Sequence, residues 1–209
     1  MHRTLESESY CFGELTIPVK QPLCWTIEPD YCAVLVHDMQ SYFVHALPDS
    51  SAVPVICSIA KILKWARKKH VPVFYSAQPG GMTPQERGLL NDLWGPGMRT
   101  TEEDRKIIAE LAPCPEDTLL TKWRYSAFYK SSLAERLEER QCNSLIITGI
   151  YASVGIFATA VEAFTRDIKP FVIADAVADF SLVGHQQTID YLANNCARVL
   201  SVNEVTKYE

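Results

Sequence analysis

Asp38 stands directly after the apolar run Cys32 to His37 (CAVLVH), and Lys122 follows the apolar pair Leu119-Leu120 by one residue. Burial favours the protonated form of a carboxyl group, which is the form a general acid needs. A carboxylate in that position could equally cap the next loop by accepting backbone N–H groups. An apolar setting is costly for a lysine without a partner, so Lys122 needs an anion nearby. Asp38 and a substrate carboxylate both qualify, and an ordinary structural ion pair is the alternative. Arg87 and Arg124 could grip planar carboxylates through two parallel hydrogen bonds, or be solvated surface charges. His37 has no Ser or Cys nucleophile at a pairing distance in the sequence and reads as a core histidine or a support behind the acid. His2, His45, His70 and His185 form no HxH or HExxH pattern, so no metal site is expected. Gly80-Gly81 and Gly95-Pro96-Gly97 have neither the GxGxxG context of a dinucleotide site nor the GK[ST] of a P-loop, and no cofactor is expected.

These groups need a scaffold that brings distant positions together. Branched apolar runs at Cys32 to His37, Pro72 to Ala77, Thr118 to Thr121, Ser144 to Gly149, Pro170 to Ala174 and Arg198 to Val202 predict strands. Between them, helical spacing predicts helices over Val53 to Lys69, Glu102 to Leu111, Ser131 to Arg140, Val154 to Asp167 and His185 to Asn195. Strands alternating with helices imply right-handed crossovers and parallel pairing. The expected fold is therefore α/β, a three-layer α/β/α sandwich around a six-stranded, mainly parallel open sheet of Rossmann-like type. Ligands in such sheets bind beyond the carboxyl ends of the strands, where strand order reverses. His37-Asp38, Gln78, Lys122 to Tyr125 and Gly149 to Tyr151 all fall at such ends and should converge on one cleft. Pro79 to Arg99 lacks either periodicity and is expected to loop over that cleft, bringing Arg87 and Trp94 to its lining.

The chain has 209 residues, 47% of them hydrophobic, enough for one large core. We expect an extended arm over residues 1–30, with Pro18, Pro22 and Pro29, leading into a single domain over 31–209 without an appended carrier domain. A net charge of −5 argues against nucleic acid or anionic membrane as partner, which leaves a small molecule. No leader or membrane-length apolar run is read, so a cytoplasmic location is expected. The seven cysteines are odd in number and scattered, without CxxC spacing; most are expected to be buried, reduced small hydrophobes.

Several long segments resemble one family. HDMQ (His37 to Gln40) with Tyr42-Phe43, AQPGGMTPQERGLLNDLWGPGM (Ala77 to Met98), KWRYSAF (Lys122 to Phe128), TGIYASVG (Thr148 to Gly155) and RDIKPFVIADAVADFS (Arg166 to Ser181) closely resemble the isochorismatases, from about residue 20 onward. The resemblance is nearest to the phenazine-pathway branch, which acts on 2-amino-2-deoxyisochorismate, and next to the isochorismatase domains of catechol siderophore pathways. The wider superfamily consists of cysteine hydrolases with an Asp, Lys, Cys triad. The TGIYASVG alignment puts Gly155 at the nucleophile position, as in true isochorismatases. Relatives with Tyr-Ala-His correspond here to Tyr151-Ala152-Ser153.

The resemblance implies hydrolysis of a chorismate-derived enolpyruvyl ether: Asp38 protonates the terminal methylene and water captures the resulting oxocarbenium ion, releasing pyruvate. It further implies that Gln78, Arg87, Lys122 and the backbone around Tyr151 and Gly155 hold the carboxylates and ring substituent. Tyr42, Trp94, Tyr125 and Tyr151 would wall the ring, with Ser153 as a further substrate-side candidate. The family commonly forms homodimers, so a homodimer is expected. The alternatives are a non-catalytic scaffold or docking module, and an amidase that uses Cys32, Cys57 or Cys142.

Overall fold

The central strands are apolar on both faces, so a sheet built from them must be covered on both sides. The computed structural model, which describes residues 2–207, meets that requirement with three layers. Among the described residues the strands are β1 (Cys32–His37), β2 (Val73–Ala77), β3 (Thr118–Thr121), β4 (Ser144–Ile150), β5 (Lys169–Ala178) and β6 (Arg198–Leu200). They lie in the order β3-β2-β1-β4-β5-β6 and every pair is parallel. The helices are α1 (Ser41–Val44), α2 (Asp49–Lys68), α3 (Pro84–Arg87), α4 (Leu89–Trp94), α5 (Glu102–Arg105), α6 (Leu133–Glu139), α7 (Phe157–Thr165), α8 (Leu182–Asn195) and α9 (Val202–Thr206). None of them is long and apolar enough to cross a membrane.

Alternation along β1 feeds two cores. Val34 and Val36 join Ile59, Ile62 and Trp65 of α2 on one face, while Ala33 and Leu35 join Leu137 of α6, Ala160 of α7 and Ile189 of α8 on the other. Because β2 and β4 flank β1 on opposite sides, strand order reverses there, and a crevice opens at the carboxyl ends of these strands.

Several segments differ from their sequence patterns, some through tertiary contacts; β6, for one, stops at Leu200 and Val202 opens α9. The helix expected over Glu102 to Leu111 stops at Arg105: Lys106 O accepts from Ser41 N, Ile108 N donates to Met39 O, and Gln40 Nε2 donates to Arg105 O. The chain there braces the loop after Asp38, with a 3-10 turn following at Ala109–Leu111. The loop expected over Pro79 to Arg99 contains α3 and α4, separated by Gly88 at φ 55° and begun by a Thr83/Glu86 capping box. Both are too short to display a period. β5 runs past Ala174 to Ala178, because the polar Asp175 within it accepts the Val202 N–H (2.7 Å) and so stays in the strand. That extension carries Phe180 to the crevice.

The N-terminal segment is more than an outlying arm, since Tyr10 and Ile27 are buried. His185 Nε2 faces the Ala174 carbonyl (3.1 Å) and so carries the ring proton; the Tyr10 hydroxyl donates to His185 Nδ1 (3.0 Å) and accepts from the Asp179 N–H (3.0 Å). Met1 and Glu209, which bound the expected arm and domain, lie outside the described residues.

Candidate active site

Asp38 leaves β1 with φ 53°, a left-handed conformation that aspartate tolerates better than most side chains. Its N–H donates to the Ser76 carbonyl on β2 (3.2 Å). The carboxylate is 5% exposed; Oδ1 accepts from Ser76 Oγ (2.7 Å) and Oδ2 from Lys122 Nζ (2.6 Å). Lys122 enters from the end of β3, its N–H on the Ala77 carbonyl (2.9 Å), and its side chain is buried. The two strand-end residues thus form a buried ion pair with one donor on each carboxylate oxygen. Removing one member of such a pair leaves an uncompensated charge out of water.

His37 is wholly buried behind this pair. Nδ1 lies 2.9 Å from the Ile150 carbonyl, which can only accept, so Nδ1 carries the proton and Nε2 is left to accept from the Thr159 hydroxyl (3.3 Å). Burial pushes the imidazole down to about 4, so it is neutral and engaged on both nitrogens, a support rather than a base. His185 is likewise pushed down to about 4 by burial.

Both shifts predict acid lability. The unfolded chain, with ordinary histidines near 6.5, binds more protons than the folded one between about pH 6.5 and 4, so stability falls as pH falls through that window. We expect the urea midpoint at pH 4.5 to lie below that at pH 7, and the His37 and His185 ring resonances in folded protein to stay neutral at pH 6. Titration of both rings near pH 6.5 by NMR would contradict this.

A cavity of about 580 Å³ opens in front of Asp38, well within the size range of small-molecule sites. Asp38, Tyr42, Gln78, Arg87, Trp94, Lys122, Tyr125, Tyr151 and Gly155 all line it, as does Arg124. The Gln78 backbone is clamped by the Gln40 amide, which accepts from Gln78 N (2.7 Å) and donates to Gln78 O (2.9 Å). Arg87 is 6% exposed. Its Nε donates to the Gly95 carbonyl, and its guanidinium lies so close to Gly97 that a Cβ there would fall 2.4 Å from Cζ. Burial lowers its pKa, and the nearby Arg124 guanidinium acts in the same direction. Among the described residues no carboxylate reaches ion-pair distance of Arg87. A requirement for an anion is thereby built into the cavity wall that also holds the Asp38–Lys122 pair.

The remaining wall is aromatic. Tyr151 stacks on Phe180 at 4.0 Å between centroids, Phe180 on Trp94 at 5.8 Å, and Trp94 Nε1 donates to Tyr125 Oη (2.8 Å). Tyr151 is fixed further by its hydroxyl, which donates to the Phe43 carbonyl (2.8 Å). Gly155 sits in a π-helical turn, Ala152–Ile156, and a Cβ there would fall 2.1 Å from His37 Cε1.

Ser153 does not belong with these groups. Its hydroxyl donates to Asp179 Oδ1 (3.0 Å) and its N–H to Oδ2 (3.2 Å), and it borders a neighbouring depression with Phe157 and Val161. Cysteines also differ from expectation: Cys32, Cys142 and Cys196 are buried, but Cys11, Cys24 and Cys57 are exposed, since they lie on the N-terminal segment and the outer side of α2. None lines the cavity. Cys32 begins β1 and Cys142 precedes β4, at the opposite end of the sheet from Asp38.

Sequence patterns missed Ser76, Phe180 and the residues His2 to Leu5, which also line or support the cavity. Ser76 was detectable as the polar residue of an otherwise apolar strand, paired in register with His37.

Comparison with known proteins shows the family. The Isochorismatase domain family matches residues 32–204. The chain belongs to the isochorismatase family. It is 48% identical over 181 residues to the Phenazine biosynthesis protein PhzD of Pseudomonas fluorescens, covering 87% of each chain. It is 44% identical over 183 residues to Enterobactin synthase component B of Escherichia coli, covering 87% of this chain and 64% of that one. A solved structure described as a cysteine hydrolase from Pseudomonas syringae pv. phaseolicola superposes with a TM-score of 0.82 at 25% identity, covering 91% of this chain and 97% of its own. The chain thus shares its fold with a protein described as a cysteine hydrolase, while its own cavity is lined by Gly155 and by no cysteine.

Proposed function

We propose that this protein hydrolyses the enolpyruvyl ether of 2-amino-2-deoxyisochorismate, isochorismate or both, within phenazine-type or siderophore-type biosynthesis. The products are pyruvate and the corresponding dihydro-aromatic alcohol, trans-2,3-dihydro-3-hydroxyanthranilate or 2,3-dihydro-2,3-dihydroxybenzoate. The observation that carries the reading is that the buried, carboxylate-free Arg87 and the buried Asp38–Lys122 pair line one cavity. Such a wall suits an anionic substrate presented to a proton donor. The family's name supports the substrate class, and the relatives' names support the pathway type.

In this reading Asp38 gives its proton to the terminal methylene carbon of the ether, and positive charge spreads over the ether carbon and oxygen. Water adds to that carbon and loses a proton, which restores Asp38. The hemiketal then breaks its carbon–oxygen bond to the ring, giving the pyruvate carbonyl and the ring hydroxyl. No covalent enzyme intermediate is needed, which accords with the absence of a thiol from the cavity lining. Lys122 places a positive charge beside Asp38, and two substrate carboxylates entering the cavity supply the opposing charge. Gln78, Arg87 and the backbone near Tyr151 and Gly155 orient those carboxylates, and the aromatic wall holds the ring. The cytoplasmic location and the homodimer expected from the sequence remain part of this proposal.

Isochorismate and its 2-amino analogue differ by one ring substituent, and discrimination approaches about 10⁴ only where a buried partner is left unpaired. We expect both to be hydrolysed, the amino compound better, and chorismate poorly, since its ether is differently placed. Comparing kcat/KM for the three by pyruvate release coupled to lactate dehydrogenase tests this. A preference for chorismate, or turnover of nicotinamide with none of the three ethers, would overturn the reading.

A further inference from the structure

Four cationic side chains and one carboxylate face the cavity among the described residues: Arg3, Arg87, Lys122 and Arg124 against Asp38. Three of the cations have polar partners in place. Lys122 holds Asp38, Arg87 donates to the Gly95 carbonyl, and Arg124 NH1 donates to the carbonyls of Glu86 and Trp123. Arg3 differs in both origin and setting, since it comes from the N-terminal segment, outside the alternating strands and helices that place the other three.

That segment is tied across the cavity mouth. Tyr10 anchors it in the core, Glu8 N donates to the Phe180 carbonyl (2.7 Å), and Arg3 N donates to the Leu93 carbonyl (2.7 Å). Between these ties Thr4 and Leu5 join the cavity wall. The Arg3 guanidinium lies 4.8 Å from the Trp94 ring centroid and 4.9 Å from that of Phe180, over the stacked pair that walls the cavity. Stacking on aromatic faces holds a guanidinium in place while leaving its in-plane N–H donors free to meet a planar anion. The carboxylate that feels its charge within the protein is Asp179, and the two form no ion pair. Asp179 is buried and already accepts from the Ser153 amide and hydroxyl.

We infer that Arg3 is a substrate-binding residue, which holds the outer carboxylate of a two-carboxylate substrate while Arg87 holds the inner one. The inference rests on the proposed hydrolysis of a dicarboxylate ether, and it makes the N-terminal strap part of the site. A monocarboxylate would leave one of the two guanidinium groups without its anion, so the strap selects for diacids.

The test measures isochorismate binding to Asp38→Asn protein, which keeps the cavity but turns over slowly, through quenching of Trp94 fluorescence or by calorimetry. Arg3→Gln in that background is expected to raise Kd about tenfold, as loss of one charge-assisted hydrogen bond does. Arg3→Lys, which keeps the charge but loses the planar fork, should recover part of it. In otherwise wild-type protein Arg3→Gln should raise KM with kcat changed less than twofold. Equal Kd for Arg3 and Arg3→Gln proteins, with pyruvate still released by wild type, would overturn the role of Arg3 and leave the reaction standing. Failure of wild type to release pyruvate, with the Kd difference intact, would overturn the reaction and keep Arg3 as an anion-binding residue. Absence of binding by either protein would overturn both.

Discussion

Asp38→Asn is expected to release pyruvate from isochorismate about 10³-fold more slowly than wild type, the range set by loss of a positioned general acid. The amide matches the carboxylate in shape, and its oxygen can still accept from Lys122 Nζ, which lies 2.6 Å from Asp38 Oδ2 in the parent. What it lacks is a proton of carboxylic acidity. Both variants leave the Lys122 ammonium, which is 3% exposed, without its anion, but Asp38→Ala also removes the oxygen that accepts its hydrogen bond. Breaking a buried pair costs about 3–5 kcal/mol, so the alanine variant should unfold at distinctly lower urea than either wild type or the asparagine variant. Coupled pyruvate assays and urea titrations of the three proteins read both effects. Turnover by Asp38→Asn within a few-fold of wild type would remove Asp38 from the acid role.

That contrast shows what the sequence could and could not reveal. Apolar runs ending in Asp38 and near Lys122 made the strand ends legible, and parallel pairing around a reversal of strand order made their convergence predictable. Asp38, Gln78, Lys122, Arg124, Tyr125 and Tyr151, from four strand ends, line one cavity, while His37, Trp123 and Gly149 do not. Ser153 could not be placed the same way, because side-chain direction within a π-helical turn depends on where Asp179 stands, 26 residues away. The break after Arg105 was invisible for a related reason: helical spacing through Leu111 is real, but Gln40 and Met39 compete for the backbone groups that a continuing helix would use. Local preference is a weak constraint against such tertiary contacts. The N-terminal strap was the least legible part. Its prolines and mixed polarity signal only the absence of regular structure, and its place over Trp94 and Phe180 follows from contacts made by backbone groups, which composition does not encode.

The second large effect concerns Gly155, where the presence of glycine has a cause within this chain as well as a chemical consequence. His37 fills the space a side chain at 155 would need: a Cβ would meet Cε1 at 2.1 Å, Nε2 at 2.9 Å and Nδ1 at 3.0 Å. The ring cannot swing aside freely, because it is wholly buried, with Nδ1 held by the Ile150 carbonyl and Nε2 by Thr159. Overpacking a site of this kind typically costs about 1–3 kcal/mol, and loss of a buried imidazole hydrogen bond adds about 1 kcal/mol or more. Gly155→Ala is therefore expected to lower stability by about 3 kcal/mol, a fall in Tm of roughly 6–12 °C for a chain of this length. Gly155→Cys should be hurt at least as much and should gain no amidase activity toward nicotinamide, since its thiol has no room beside the imidazole. The decisive measurement is a double-mutant cycle with His37→Ala. If the imidazole is the obstacle, Gly155→Ala becomes nearly neutral in that background, a coupling of about 2–3 kcal/mol. Should His37→Ala be too unstable for urea titration, the His37 ring resonance in Gly155→Ala protein serves instead, and it should shift away from its parental position. A destabilisation by Gly155→Ala that is equal with and without the imidazole, or a full-strength parental His37 resonance in the single variant, would show that something other than His37 keeps residue 155 small.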